Sequence, residues 1–205
     1  MKAFGACLLA LLALTGLALW WWRAPPAPAD PSPVRLAVAG VALRVDPRLA
    51  RTPADLANPA PQELDLVLAL PDLSPAGAKA NSMPLEKLVF LTLQQPDEKI
   101  EPRDKPTRLY ARFLGTGVEV HPAGLILRRF EPGSPYEGEQ LYMTPPEGRA
   151  FWARCAAATL TLPATCISEA RIGGVDIRLR FKPEALGAWE TLTAGIVRMV
   201  QQMAQ

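Results

Sequence analysis

The chain has 205 residues, 49% hydrophobic and 20% charged, with a formal net charge of +2. Lys2 and Arg23 account for that whole excess, so from Asp30 onward 20 basic residues meet 20 acidic ones. This balance excludes the basic footprint of a nucleic-acid binder, and a single histidine leaves little room for histidine-based hydrolysis.

The first element is Phe4–Trp22, FGACLLALLALTGLALWWW, 19 residues without a charge. As a helix it covers about 28 Å, close to the hydrocarbon thickness of a bilayer. Trp20, Trp21 and Trp22 suit the headgroup level, and Arg23 can snorkel outward. Residues 1–23 are therefore predicted to be a transmembrane signal anchor with its N-terminus in the cytoplasm. The alternative is cleavage after Ala27-Pro28-Ala29, which would release a soluble domain beginning at Asp30. The length of the run and the position of Arg23 favour retention. Cys7 has only six residues before it, too few to deliver a lipidated cysteine, and reads as a small apolar residue of the anchor.

Residues 24–33, APPAPADPSP, hold five prolines in ten positions and predict an extended stalk of roughly 30 Å. Residues 34–205 then suit one domain with an ordinary core. Val34–Val45 reads as two short strands around Gly40, followed by a proline-rich connection. Leu64–Leu70 and Leu88–Leu93 have the content of buried strands, with the loop PDLSPAGAKANSMP between them. Gln95–Pro106 carries seven charges in twelve residues and reads as a solvated loop. Thr107–Gly115 has the threonine start and the Leu109/Phe113 spacing of a short helix. Further strands are expected at Gly117–His121, Gly124–Phe130 and Gln140–Met143.

The C-terminal third carries the strongest pattern. VDIRLRF, Val175–Phe181, alternates apolar and charged residues and marks a strand with one buried face. Gly173-Gly174 suits a two-residue hairpin turn. Pairing back across that turn sets Ile172 opposite Val175, Arg171 opposite Asp176, Ala170 opposite Ile177 and Glu169 opposite Arg178. Both charged pairs are opposite in sign, an independent check on the register. Pro183-Glu184 then opens a helix whose apolar stripe is Leu186, Trp189, Leu192, Ile196, Val200 and Met203. A one-faced sheet and a one-striped helix bury their apolar surfaces against each other. The expected fold class is α+β, a mostly antiparallel sheet domain closed by a C-terminal amphipathic helix.

Cys166 falls on the buried side of its strand, with Ser168, Ala170 and Ile172. If the strand-like FWARC pairs so that Cys155 faces Cys166, Phe151 and Ala153 also turn inward and the thiols come within disulfide reach. An export segment upstream favours the oxidised pair over two free buried thiols. The two cysteines and His121 fall short of a closed zinc site, and no metal or cofactor is expected. His121 stands before Pro122 at a strand end, and no G-x-S-x-G motif accompanies it.

Two surfaces remain as candidates. Phe130–Tyr142, FEPGSPYEGEQLY, places Glu131, Glu137 and Glu139 beside Tyr136 and Tyr142, a set able to serve a tethered envelope hydrolase, although its prolines and glycines read as an ordinary surface loop. The outer face of the C-terminal sheet is the better candidate. The pairing places Trp152, Glu169 and Arg178 in one row, and Arg154, Ile167 and Arg180 in the next, a mixed face suited to a partner.

The ending GVDIRLRFKPEALGAWETLTAGIVRMV, and more loosely VAGVALRVDP, resembles uncharacterised single-pass membrane-anchored envelope proteins of proteobacteria. There a strand ending in an R-F pair leads into a helix with a Leu-x-x-Trp pattern, here Leu186 and Trp189. The resemblance implies an exported, anchored domain and brings no activity or site residues. The expectation is thus a non-enzymatic periplasmic domain, held in the inner membrane by its N-terminal helix, that binds an envelope protein or component and no nucleic acid.

Overall fold

A computed structural model describes residues 30–205. The expected anchor, residues 1–23, and most of the 24–33 stalk lie outside the described residues. Among the described residues no helix is long and apolar enough to cross a membrane.

Alternation of apolar and polar residues dictates most of the architecture. Strands β1 (Val34–Val38) and β2 (Val41–Val45) form a hairpin that turns through Ala39 and Gly40, both at positive φ, and buries Leu36, Val38, Leu43 and Val45 on one side. Strands β3 (Glu63–Ala69), β4 (Ser74–Pro75), β5 (Leu88–Gln94), β6 (Glu119–His121), β7 (Leu125–Arg129), β8 (Glu139–Met143), β9 (Trp152–Ala156), β10 (Thr165–Ile172) and β11 (Val175–Phe181) make one antiparallel sheet. Its order is β4-β3-β5-β11-β10-β9-β8-β7-β6, so β11 stands between β5 and β10 and joins two runs of neighbouring strands.

The register at the centre is the expected one. Ile172 faces Val175, Arg171 faces Asp176, Ala170 faces Ile177 and Glu169 faces Arg178. Gly173 and Gly174 take φ of 59° and 90°, the left-handed conformations that a tight turn of this hand requires. Cys166 pairs with Cys155 across β10 and β9, and the two are joined as a disulfide. Phe151 and Ala153 turn inward with them.

The inner face is covered by the β1–β2 hairpin, by single-turn helices at Pro47–Leu49 and Pro53–Leu56, and by helix α1 (Trp189–Met203). Leu64, Leu66 and Leu68 of β3, Val89, Leu91 and Leu93 of β5, and Ile177, Leu179 and Phe181 of β11 meet Leu192, Ile196, Val200 and Met203 of α1 in one core. The apolar stripe of the C-terminal segment is as expected, but its first turns are not α-helical. Pro183–Ala188 is 3-10, and Ala188 at φ −120°, ψ 26° interrupts the ladder next to Gly187, a weak helix former.

Two further segments differ from expectation. Thr107–Gly115 is helical but not one α-helix, being a π-type turn over Pro106–Tyr110 followed by a 3-10 turn over Ala111–Phe113. Gln95–Pro106 is not simply a solvated loop. It crosses the outer face of the sheet, buries Pro102 and Pro106, and ties itself down through ion pairs.

Candidate docking surface on the outer sheet face

Transverse rows of paired residues run across the outer face. One row is Val67, Phe90, Arg180, Ile167, Arg154, Leu141 and Arg128; beside it runs Asp65, Thr92, Arg178 and Glu169. The expected neighbours are therefore brought together, Arg154, Ile167 and Arg180 in one row and Glu169 with Arg178 in the other. Their exposure is a different matter.

Half of this face is covered. Trp152 is 2% exposed, its indole N–H donates to the Pro102 carbonyl at 2.8 Å, and it sits in a second core with Tyr110, Leu114, Phe130, Leu141 and Met143. Trp152 is thus a core residue and not part of a docking surface, because the segment after β5 folds over it. Glu169 accepts hydrogen bonds from Lys105 of that segment and from Arg178, and its side chain is only 11% exposed. Arg154 donates to both Glu139 oxygens, at 2.7 and 2.6 Å, and its guanidinium lies over the Tyr136 ring. Burial of the Tyr110 phenol beneath these groups pushes it up to about 12.

A second clamp holds the start of the same segment. The buried Asp176 carboxylate accepts from the Asp97 backbone N–H at 2.7 Å and from Arg171 Nε at 2.6 Å, while Arg171 also donates to the Asp97 carbonyl. The hydrogen bond to Asp176 raises the Arg171 guanidinium above its ordinary value. The segment is thus held at both ends, by the Asp97 backbone and by Lys105, while Glu98, Lys99 and Arg103 stay exposed.

The open half lies over β3, β5 and β11. A groove of about 560 Å³ has Val67, Phe90 and Arg180 in its floor. Ala80, Asn81, Met83 and Leu85 wall one side, and Pro163, Thr165 and Lys182 wall the other, with Arg51 and Asp65 completing it. Arg180 is the one predicted docking residue that lies in this groove; Arg178 stays half-buried beside Glu169. Arg51, Met83 and Phe90 were not foreseen. The only signal for Phe90 is the two-residue period of any strand, which puts it on the face opposite Val89, Leu91 and Leu93. Leu85 in one wall and Leu162, next to Pro163 of the other, are exposed apolar residues.

The acidic loop does not converge on a pocket of its own. The Glu137 carboxylate accepts from the Gly133 backbone N–H within its own turn, Glu139 is occupied by Arg154, and Glu131 is exposed. Tyr142 donates to Gln140 and Tyr136 stacks with the second core. His121 lies 2.6 Å from the Pro122 carbonyl and edge-on to Tyr142. Among the described residues no group of three or more histidine, cysteine, aspartate or glutamate side chains is arranged to hold a metal ion.

No family model matches the chain, and no curated protein matches it in sequence. Two solved structures share its fold. Smlt3025, an immunity protein of the Stenotrophomonas maltophilia type IV secretion system, superposes with a TM-score of 0.61 over 84% of this chain and 93% of its own, at 13% identity. The Neisseria meningitidis iron-regulated outer membrane lipoprotein FrpD superposes with a TM-score of 0.51 over 85% of this chain and 93% of its own, also at 13% identity.

Proposed function

We propose that this chain is a membrane-tethered envelope protein whose folded domain binds a protein partner in the groove over β3, β5 and β11. The observation that carries the reading is the groove itself: an open trough with an apolar floor and an arginine-bearing row, on a face otherwise sealed by its own crossing segment. A docked chain would complete the burial of Phe90 and Met83, half-buried in the free domain, at about 25 cal/mol per Å² of apolar surface covered. The acids of the Glu131–Glu139 loop, by contrast, are spent on turn closure and on Arg154 or lie in solvent.

Location in the envelope is supported by the bilayer-length apolar run at Phe4–Trp22, by the resemblance to single-pass envelope proteins, and by the Cys155–Cys166 disulfide, which suits an oxidising compartment such as the periplasm. Both structural neighbours have roles tied to secretion or the envelope, one as an immunity protein and one as an outer membrane lipoprotein. A binding role for this fold agrees with the first of these.

Photo-crosslinking in the cell tests the reading. A photoreactive residue placed at Leu85 or at Leu162, beside the two walls, should give the same protein adduct in the carbonate-washed membrane fraction. The same residue at Glu190, on the exposed side of the C-terminal helix, should not. Absence of adducts from both wall positions, or equal adducts from all three, would overturn it.

A further inference from the structure

We infer that the occupant of the groove is an extended, carboxylate-bearing segment of the partner protein, an inference that rests on the groove being the docking site. The groove holds three cations, Arg51, Arg180 and Lys182, against one acid, Asp65. The Asp65 carboxylate already accepts the Thr92 hydroxyl. On the same face of the sheet but outside the groove, Arg154 pairs with Glu139 and Arg178 with Glu169. None of the three groove cations has a carboxylate within ion-pair distance among the described residues. Arg51 reaches only the Asn81 side-chain oxygen at 3.4 Å, the Lys182 side chain donates to the Ala164 carbonyl, and the Arg180 side chain makes no hydrogen bond within the described residues.

The groove thus carries a local excess of positive charge in a domain whose charge is balanced from Asp30 onward. Guanidinium groups present a planar fork that suits carboxylates, and a neighbouring apolar floor suits an aliphatic or aromatic side chain between them. Shape points to an extended chain. The floor crosses β3, β5 and β11, and strands lie about 4.8 Å apart, so it spans roughly 10 Å. At about 3.3 Å per residue, three or four extended residues cover it. Their alternating side chains would set an apolar group on Phe90 and Met83 and turn acids toward Arg51, Arg180 and Lys182.

The test uses the full chain in non-ionic detergent and three fluorescent peptides with the same alternating leucine and valine frame. One carries Asp and Glu at the intervening positions, one carries Lys, and one carries Ser. Fluorescence anisotropy should show the acidic peptide binding at least about tenfold more tightly than the other two. Its affinity should fall on raising salt from about 50 to about 300 mM, as expected for pairs on an open rim. The exposed double substitution Arg51→Glu with Arg180→Glu, verified by an unchanged melt, should abolish the acidic peptide and bind the lysine peptide instead. Equal affinity for the acidic and serine peptides, or no swap in the double variant, would overturn the charge assignment while leaving groove docking in place. A single-stranded oligonucleotide of matched charge that competes as well as the acidic peptide would also overturn it, by assigning the cations to phosphate. Failure of all three peptides would remove the docking site together with the inference.

Discussion

Trp152 and Arg180 share the outer face of the sheet, yet they live in different environments. The indole of Trp152 is enclosed by Tyr110 in edge-to-face contact, with ring centroids 5.4 Å apart, and its N–H is satisfied by Pro102. Arg180 is exposed in the groove. Trp152→Ala should therefore destabilise the domain by about 3–5 kcal/mol, the usual cost of emptying an aromatic core site. Arg180→Ala should stay within roughly 0.5 kcal/mol, as surface changes do. Chemical denaturation of the two variants checks this, and comparable losses would mean that the crossing segment does not cover Trp152. Both side chains follow from one alternating pattern, which distinguishes the two faces of a strand but not water from protein as the neighbour beyond.

At the level of elements, legibility follows sequence distance. The β10–β11 register was readable because its turn, its alternation and its charge pairs all lie within Thr165–Phe181, and the three agree. The Cys155–Cys166 pairing was readable for the same reason, being separated by only 11 positions. The covering of the outer face was not readable. It depends on Lys105 meeting Glu169 and on the Asp97 backbone meeting Asp176, contacts 64 and 79 residues apart in the chain. Long-range close approach is equally invisible at Gly77, in the 3-10 segment Gly77–Ser82 that begins one wall of the groove. A Cβ there would stand 1.9 Å from the Ala50 carbonyl oxygen and 2.6 Å from that of Arg48. Neither backbone group can swing aside as a flexible side chain would. Gly77→Ala should accordingly cost more than about 2 kcal/mol and displace the wall, detectable as a lower melting temperature together with weaker crosslinking from Leu85. An unaltered melt would mean that the segments around Ala50 and Gly77 are not held this closely.

Over the whole molecule, the disulfide fixes the centre of a sheet whose two faces carry different cores. Purified from an oxidising compartment, the protein should show no free thiol at Cys155 or Cys166 until it is reduced. Cys155→Ser should lower stability by about 2–5 kcal/mol, measured by thermal melting against the oxidised parent. Ready alkylation of both thiols without reductant would refute the crosslink and weaken the proposed periplasmic location with it.

The place of β11 between β5 and β10 has a further consequence for how the protein is made. Synthesis delivers the chain from its N-terminus, so β3 to β5 and β6 to β10 emerge before the strand that unites them. Until Val175–Phe181 arrives, β5 and β10 each present an unpaired edge, and the leucines of β3 and β5 lack the helix that covers them. A ribosome stalled shortly before Gly173 would thus leave two separate, sticky half-sheets instead of a shortened domain. Completion of the fold therefore waits for Val175–Phe181, and until then the partial chain must be kept apart from others.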